Sequence, residues 1–167
     1  MERSSQVFLG IADLPNCPAL YTLCGGTAKH PYVAYVGITD KLKRRATQHL
    51  VTRDSSAATG TSATGINPDY VTEIRWWEHR RFSNLAAREA AELVAFGLFN
   101  PALRSRKRPG KAAQKLYDTR GFRKEMETLL NEKPSGRVRF PLREEVARRL
   151  SVIEDRLDSI EKRLKLR

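Results

Sequence analysis

The sequence predicts an α+β fold, and three observations carry that prediction. Three β-rich runs occur within the first 80 residues, and the first two are close enough to form a hairpin. Amphipathic helical stretches follow them. The last 26 residues hold a regular apolar seam at helical spacing.

The first run, Ala19-Leu20-Tyr21-Thr22-Leu23-Cys24, is apolar and aromatic and ends at Gly25-Gly26. Pro18 suits a strand start, where its missing N–H costs no ladder bond. Tyr32 to Ile38 is the second run, and the short polar link between the two implies an antiparallel hairpin. Asp40 is the expected cap of a helix over residues 41–50, whose polar face carries Lys41, Lys43, Arg44, Arg45 and His49. Val51 to Asp69, rich in Ser, Ala, Thr and Gly, reads as a long loop, either in contact with a ligand or simply unstructured.

Tyr70 to Trp77 has the β-branched and aromatic character of a third strand, with Trp76 and Trp77 on opposite faces, one expected inside and one outside. Asn84 caps a helix from Leu85 to about Phe99, stopped by Pro101. On that helix Leu85, Glu89, Glu92, Phe96 and Phe99 share one stripe, which sets two carboxylates beside an apolar face. A carboxylate sits there only if it is paired, metal-bound or solvated, and Arg88 is the ordinary partner for Glu92. A further helix is expected from about Arg120 to Leu130, and Pro134-Ser135-Gly136 marks a linker over residues 134–141.

In the C-terminal stretch 142–167, Val146, Leu150, Ile153, Leu157, Ile160 and Leu164 alternate spacings of four and three. Arg149, Arg156 and Arg163 take g positions, and Glu154 and Glu161 take e. A parallel pair matches Arg with Glu, whereas an antiparallel pair sets Arg beside Arg, so the pattern favours a parallel homo-oligomer. The seam is short enough that packing on the protein's own domain is the competing reading. Residues 1–133 are then one domain that carries the basic segment 104–120.

Composition bounds the function. The 167 residues carry 31 Lys and Arg against 19 Asp and Glu, a formal charge of +12. Half of that excess lies between Pro101 and Arg120, where seven basic residues meet one acidic one. Such a block either meets a phosphate backbone or solubilises a surface. Arg104, Arg106, Lys107, Arg108, Lys111 and Lys115, with Lys43 and Arg44 on the earlier helix, are the expected DNA-backbone contacts. No apolar stretch approaches the roughly 18–20 residues of a membrane span, the N-terminus lacks the order of an export signal, and Cys17 and Cys24 have no metal-ligand spacing. A cytoplasmic protein with reduced thiols is expected.

Tyr21, Tyr35, Arg45, His49 and Glu92 have a coherent joint use at a phosphodiester. A carboxylate can hold Mg²⁺, a guanidinium can bind phosphate, and Tyr or His can accept a proton from water. Singly, each is ordinary: a packing tyrosine, two solvated helix residues, a paired glutamate.

In order and spacing these residues resemble the GIY-YIG nuclease superfamily over about Pro18 to Arg104. Ala19-Leu20-Tyr21 stands where that family has Gly-Ile-Tyr, and Tyr35-Val36-Gly37 where it has Tyr-Ile-Gly. Leu42, Arg45 and His49 match its helix, and Glu92, nine residues before Pro101, matches its metal-binding glutamate. The resemblance implies a small three-stranded antiparallel sheet flanked by helices and metal-dependent hydrolysis of DNA. It implies that Tyr21 or His49 helps activate water, that Tyr35 shapes the site, that Arg45 holds the phosphate and that Glu92 binds one Mg²⁺, with Mn²⁺ as a substitute. The family's first glycine is Ala19 here, its lysine after Tyr-x-Gly is Ile38, and its asparagine after the proline is Arg104, with Asn100 a candidate replacement. The alternative function is a nuclease-like DNA-binding or assembly protein without catalytic activity.

Overall fold

The computed structural model describes residues 10–26, 31–52, 67–104 and 108–140, together with positions 152, 153, 156, 157 and 159–161. In chain order the elements are β1 (Ala19–Gly26), β2 (Pro31–Thr39), α1 (Leu42–Leu50), β3 (Val71–Trp77), α2 (Leu85–Phe99), α3 (Lys111–Asp118), α4 (Arg120–Asn131) and β4 (Gly136–Arg139). Short 3₁₀ turns precede β1, β3 and α2. No helix among the described residues is long and apolar enough to cross a membrane.

The hairpin of β1 and β2 forms in antiparallel register, Tyr21 opposite Gly37, with a bulge between Leu23 and Cys24. On its other side β1 pairs with β3, and β3 pairs with β4, so the sheet has four strands in the order β2-β1-β3-β4. This corrects the expected three-stranded sheet. The added strand falls within the stretch expected to be a linker. Gly-Arg-Val-Arg is too short and too charged to advertise a strand, yet Gly136 and Val138 face inward while Arg137 and Arg139 face out. Gly136 lies opposite Trp76, and any Cβ there would run into the indole ring. A glycine is needed at that position for space.

Both faces of the sheet are covered, which explains why Trp76 and Trp77 are both buried rather than one in and one out. On one face Leu20, Val36 and Trp77 pack against α2, α3 and α4 through Ala87, Ala90, Ala91, Ala113, Met126 and Leu130. The run of alanines lets α2 lie close to the strands. On the other face Tyr21, Leu23, Ile74, Trp76 and Val138 pack against Leu14 and, from α1, Leu42 and Ala46. β1, sandwiched and central, is buried through Gly25, which accounts for its lack of polar alternation.

Capping follows the sequence at α2. Asn84 accepts from the backbone N–H groups of Ala86 (2.8 Å) and Ala87 (3.3 Å), and Asn100 closes the helix with φ 41° before Pro101. At α1 the expectation fails. Asp40 makes no cap, because the N-cap residue is Lys41, and Asp40 instead pairs with Arg44 at 3.3 Å. The basic segment holds one helix that charge concealed, α3, which enters the core through Ala113. The predicted helix at 120–130 is α4.

No heptad-patterned C-terminal helix is evident among the described residues. Val146, Leu150 and Leu164 of the expected seam lie outside them, as do Arg149, Glu154 and Arg163. Ile153, Leu157 and Ile160 are helical and exposed. Most of the expected loop at 51–69 also lies outside the described residues.

Candidate active site

The five residues singled out in the sequence converge at the β2 edge of the sheet. α1 lies on one face and α2 on the other, and side chains from both line one cleft beside this edge strand. The chain leaving α2 reinforces it: the N–H groups of Ala102 and Leu103 donate to the carbonyls of Val33 (3.0 Å) and Ala34 (2.9 Å). A cleft of about 270 Å³ opens there. Tyr35 and Ile38 line it from β2, Arg45 from α1, and Arg108 and Pro109 from the approach to α3. From α2 come Leu85, Glu89, Glu92, Leu93 and Phe96, one stripe of that helix.

Tyr35 is the tyrosine at the cleft. Tyr21 and His49 sit behind it, 1% and 2% exposed, with the Tyr21 hydroxyl 2.7 Å from His49 Nε2. The ring centroids of Tyr21 and Tyr35 are 6.2 Å apart, and His49 lies 5.8 Å from Tyr21 and 5.6 Å from Tyr35. Close packing of the tyrosines depends on Gly37. A Cβ at that position would stand 2.6 Å from both the Tyr21 hydroxyl and Tyr35 Cε1. Its φ is not positive, so the Tyr-x-Gly motif requires glycine for room and not for backbone freedom.

Burial pushes the Tyr21 hydroxyl well above its ordinary value, with Tyr35 adding to the rise and Arg45 opposing it. Tyr35 is raised by burial first and by the Glu92 carboxylate second, again against Arg45. Both therefore stay protonated at neutral pH. Burial works against the charge of Arg45, but the two tyrosine hydroxyls outweigh it, and the guanidinium is held above its ordinary value. Its Nη1 also donates to Gln48 at 3.3 Å. Gln48, missed in the sequence, was signalled only by its i,i+3 spacing from Arg45.

The two carboxylates of α2 part company. Glu89 is buried and accepts from the backbone N–H of Gly110 at 3.1 Å, which fastens the start of α3 to α2. Glu92 is partly exposed on the cleft wall. Arg88, the ordinary partner expected for Glu92, instead donates to the carbonyls of Phe82 and Ser83. Arg104 does not reach the cleft. It bonds Asn100 Oδ1 at 3.1 Å and lies over the Phe96 ring at 5.8 Å.

Of the expected backbone contacts, Lys43, Arg44, Arg104, Arg108, Lys111 and Lys115 are exposed, while Arg106 and Lys107 lie outside the described residues. The two cysteines are free, Cys24 buried and Cys17 partly so. Burial, helped by Glu78, pushes the Cys17 thiol up to about 11.

Among the described residues no group of three or more His, Cys, Asp and Glu gathers as a metal cage. The donors at the cleft instead suit a hydrated Mg²⁺, which keeps several waters and takes one or two carboxylates plus phosphate oxygens. Glu92 is the cleft carboxylate that could hold such an ion. No protein-family model, no curated protein and no solved structure matches the chain.

Proposed function

We propose that the protein is a metal-dependent endonuclease of the GIY-YIG kind that hydrolyses DNA phosphodiester bonds. The observation that supports this reading is the opening of Tyr35, Arg45, Glu92 and Arg108, from four separate segments, onto one cleft. Arg45 and Arg108 hold the phosphate, Arg45 in an orientation set by the tyrosines and Gln48. Glu92 would hold Mg²⁺ or Mn²⁺, and the chemistry such an ion would supply is Lewis-acid stabilisation of negative charge on the phosphodiester oxygens.

A neutral Tyr35 hydroxyl at the cleft orients the attacking water. As the water oxygen bonds to phosphorus and the P–O bond to the leaving group breaks, the water's proton passes to Tyr35, that of Tyr35 to Tyr21 and that of Tyr21 to His49 Nε2, and the leaving oxygen takes a proton from solvent at the open cleft. Burial of Tyr21 and His49 excludes solvent from that path. Exposed Lys43, Arg44, Lys111 and Lys115 neutralise flanking phosphates. Self-association belongs to the same proposal, since Val152, Ile153, Leu157 and Ile160 are exposed. Sedimentation of the full chain against one ending after Phe140 tests it, and β4 is kept in both.

The second reading, a nuclease-like DNA-binding or assembly protein without activity, draws support from the lack of a multi-residue metal cluster among the described residues. Plasmid, linear, single-stranded and flapped DNA incubated with Mg²⁺, with Mn²⁺ and with chelator separate the two. Cleavage that needs metal and disappears in Glu92→Ala, with DNA binding retained, supports the endonuclease. Binding without cleavage under every condition supports the second reading.

A further inference from the structure

The cleft is more than a phosphate site, because much of its wall is apolar. Along α2 the stripe begins at Leu85, passes the two carboxylates and ends at Leu93 and Phe96. At a rise of ~1.5 Å per residue this stripe runs roughly 16 Å. Ile38 faces it from β2. Leu85, at the mouth, is 51% exposed. An exposed apolar surface beside two guanidinium groups calls for an occupant with an apolar face and an anion on one unit.

An uninterrupted duplex does not present such a unit. Its bases are stacked inside, and it would lay only sugar and phosphate against Ile38, Leu85, Leu93 and Phe96. A nucleotide outside the stack presents a flat base on one side and a phosphate on the other. A continuous strand is favoured over a free nucleotide by charge. α1, which carries Arg45, also carries exposed Lys43 and Arg44, and α3, which follows Arg108 and Pro109, carries exposed Lys111 and Lys115.

We propose that the cleft takes one unstacked nucleotide, its base against Ile38, Leu85, Leu93 and Phe96 and its phosphate against Arg45 and Arg108. The substrate is then single-stranded, flapped or locally melted DNA rather than continuous duplex. This deepens the phosphodiester reading of the cleft and rests on it for the role of the phosphate.

Binding of labelled oligonucleotides in chelator, measured by fluorescence anisotropy, tests the base pocket without cleavage. The probes are a single strand, the same sequence as duplex, an abasic strand of equal length, and a free deoxynucleoside monophosphate as competitor. The single strand is expected to bind at least about tenfold more tightly than the abasic strand, the scale of one base stacked on a protein surface. Leu85→Ser, at an exposed position, should remove most of that difference. Ile38→Thr gives a second variant on a different element.

Equal binding of base-bearing and abasic strands overturns the proposal, as does competition by the mononucleotide at the strand's own concentration. The outcomes also separate the two levels of the argument. Metal-dependent cleavage of duplex and single strand at equal rates, unaltered by Leu85→Ser, defeats the base pocket and leaves hydrolysis standing. Base-dependent binding with no cleavage in any metal defeats hydrolysis and leaves the base pocket standing.

Discussion

Gly37→Ala tests the packing on which the candidate site is built. The new methyl would stand 2.6 Å from the Tyr21 hydroxyl and from Tyr35 Cε1, and 2.7 Å from Tyr21 Cζ. Ordinary contacts between such atoms lie near 3.5 Å or more, so each ring must retreat by roughly 0.9 Å. Tyr21 has little room to do so, being buried and bonded to His49 at 2.7 Å. Overpacking of this kind costs about 1–3 kcal/mol, and loss of the Tyr21–His49 bond adds ~0.5–1.5 kcal/mol. A stiffer unfolded chain offsets ~0.4–1 kcal/mol, because φ here is not positive. The net expectation is a loss of about 2 kcal/mol, read as a lower denaturant midpoint at constant m-value in urea unfolding. In a Tyr35→Ala background one of the two rings is absent, and the cost should fall by roughly half in a double-mutant cycle. A Gly37→Ala protein within about 0.5 kcal/mol of the parent would refute the reasoning, since the two tyrosines would then have space the structure denies them.

Three further outcomes are expected. Glu89→Ala leaves the Gly110 N–H without its carboxylate and should cost about 1–3 kcal/mol, while Glu89→Gln, which keeps an acceptor, should recover most of it and speed amide exchange at Gly110 less. Stability should fall above pH 10, because the folded state holds Tyr21 protonated while the unfolded chain releases that proton at its ordinary value of 10.0. The contribution is fully present below pH 10 and is lost as the pH climbs toward the raised folded value. Unfolding curves of Tyr21→Phe should therefore be flatter in alkali by up to about 1.4 kcal/mol per pH unit, and an unchanged slope would remove Tyr21 as the cause. Finally, log affinity for duplex DNA should decline linearly with log salt, and Lys111→Ala and Lys115→Ala should each reduce the slope by about 0.9, whereas equal slopes would place the DNA elsewhere.

Residues read in order reached much of this architecture. The hairpin was legible because two apolar runs are divided by Gly25-Gly26, and α2 because Asn84 and Pro101 bracket a helical stripe. The fourth strand was not legible. Four residues with two arginines earn their strand geometry only from β3 beside them and from the indole of Trp76 over Gly136. Burial of both tryptophans was equally hidden, because a single strand cannot report that helices cover both of its faces. At the site, residue types and spacing nominated Tyr21, Tyr35, Arg45, His49 and Glu92. They did not say which tyrosine meets the cleft, that Glu89 is committed to Gly110, or that Arg104 turns away to Asn100.

What the sequence alone determined is local: strand and helix character, the cap at Asn84, a cluster of positive charge, and a set of side chains suited to a phosphodiester. These follow from interactions within a few residues of chain. The tertiary structure alone decided the number of strands, the inward place of Tyr21 and His49, and the cleft between α1 and α2. Those depend on groups far apart in sequence meeting at a sheet edge, where mutual exclusion of atoms and the burial of polar hydrogens select one arrangement.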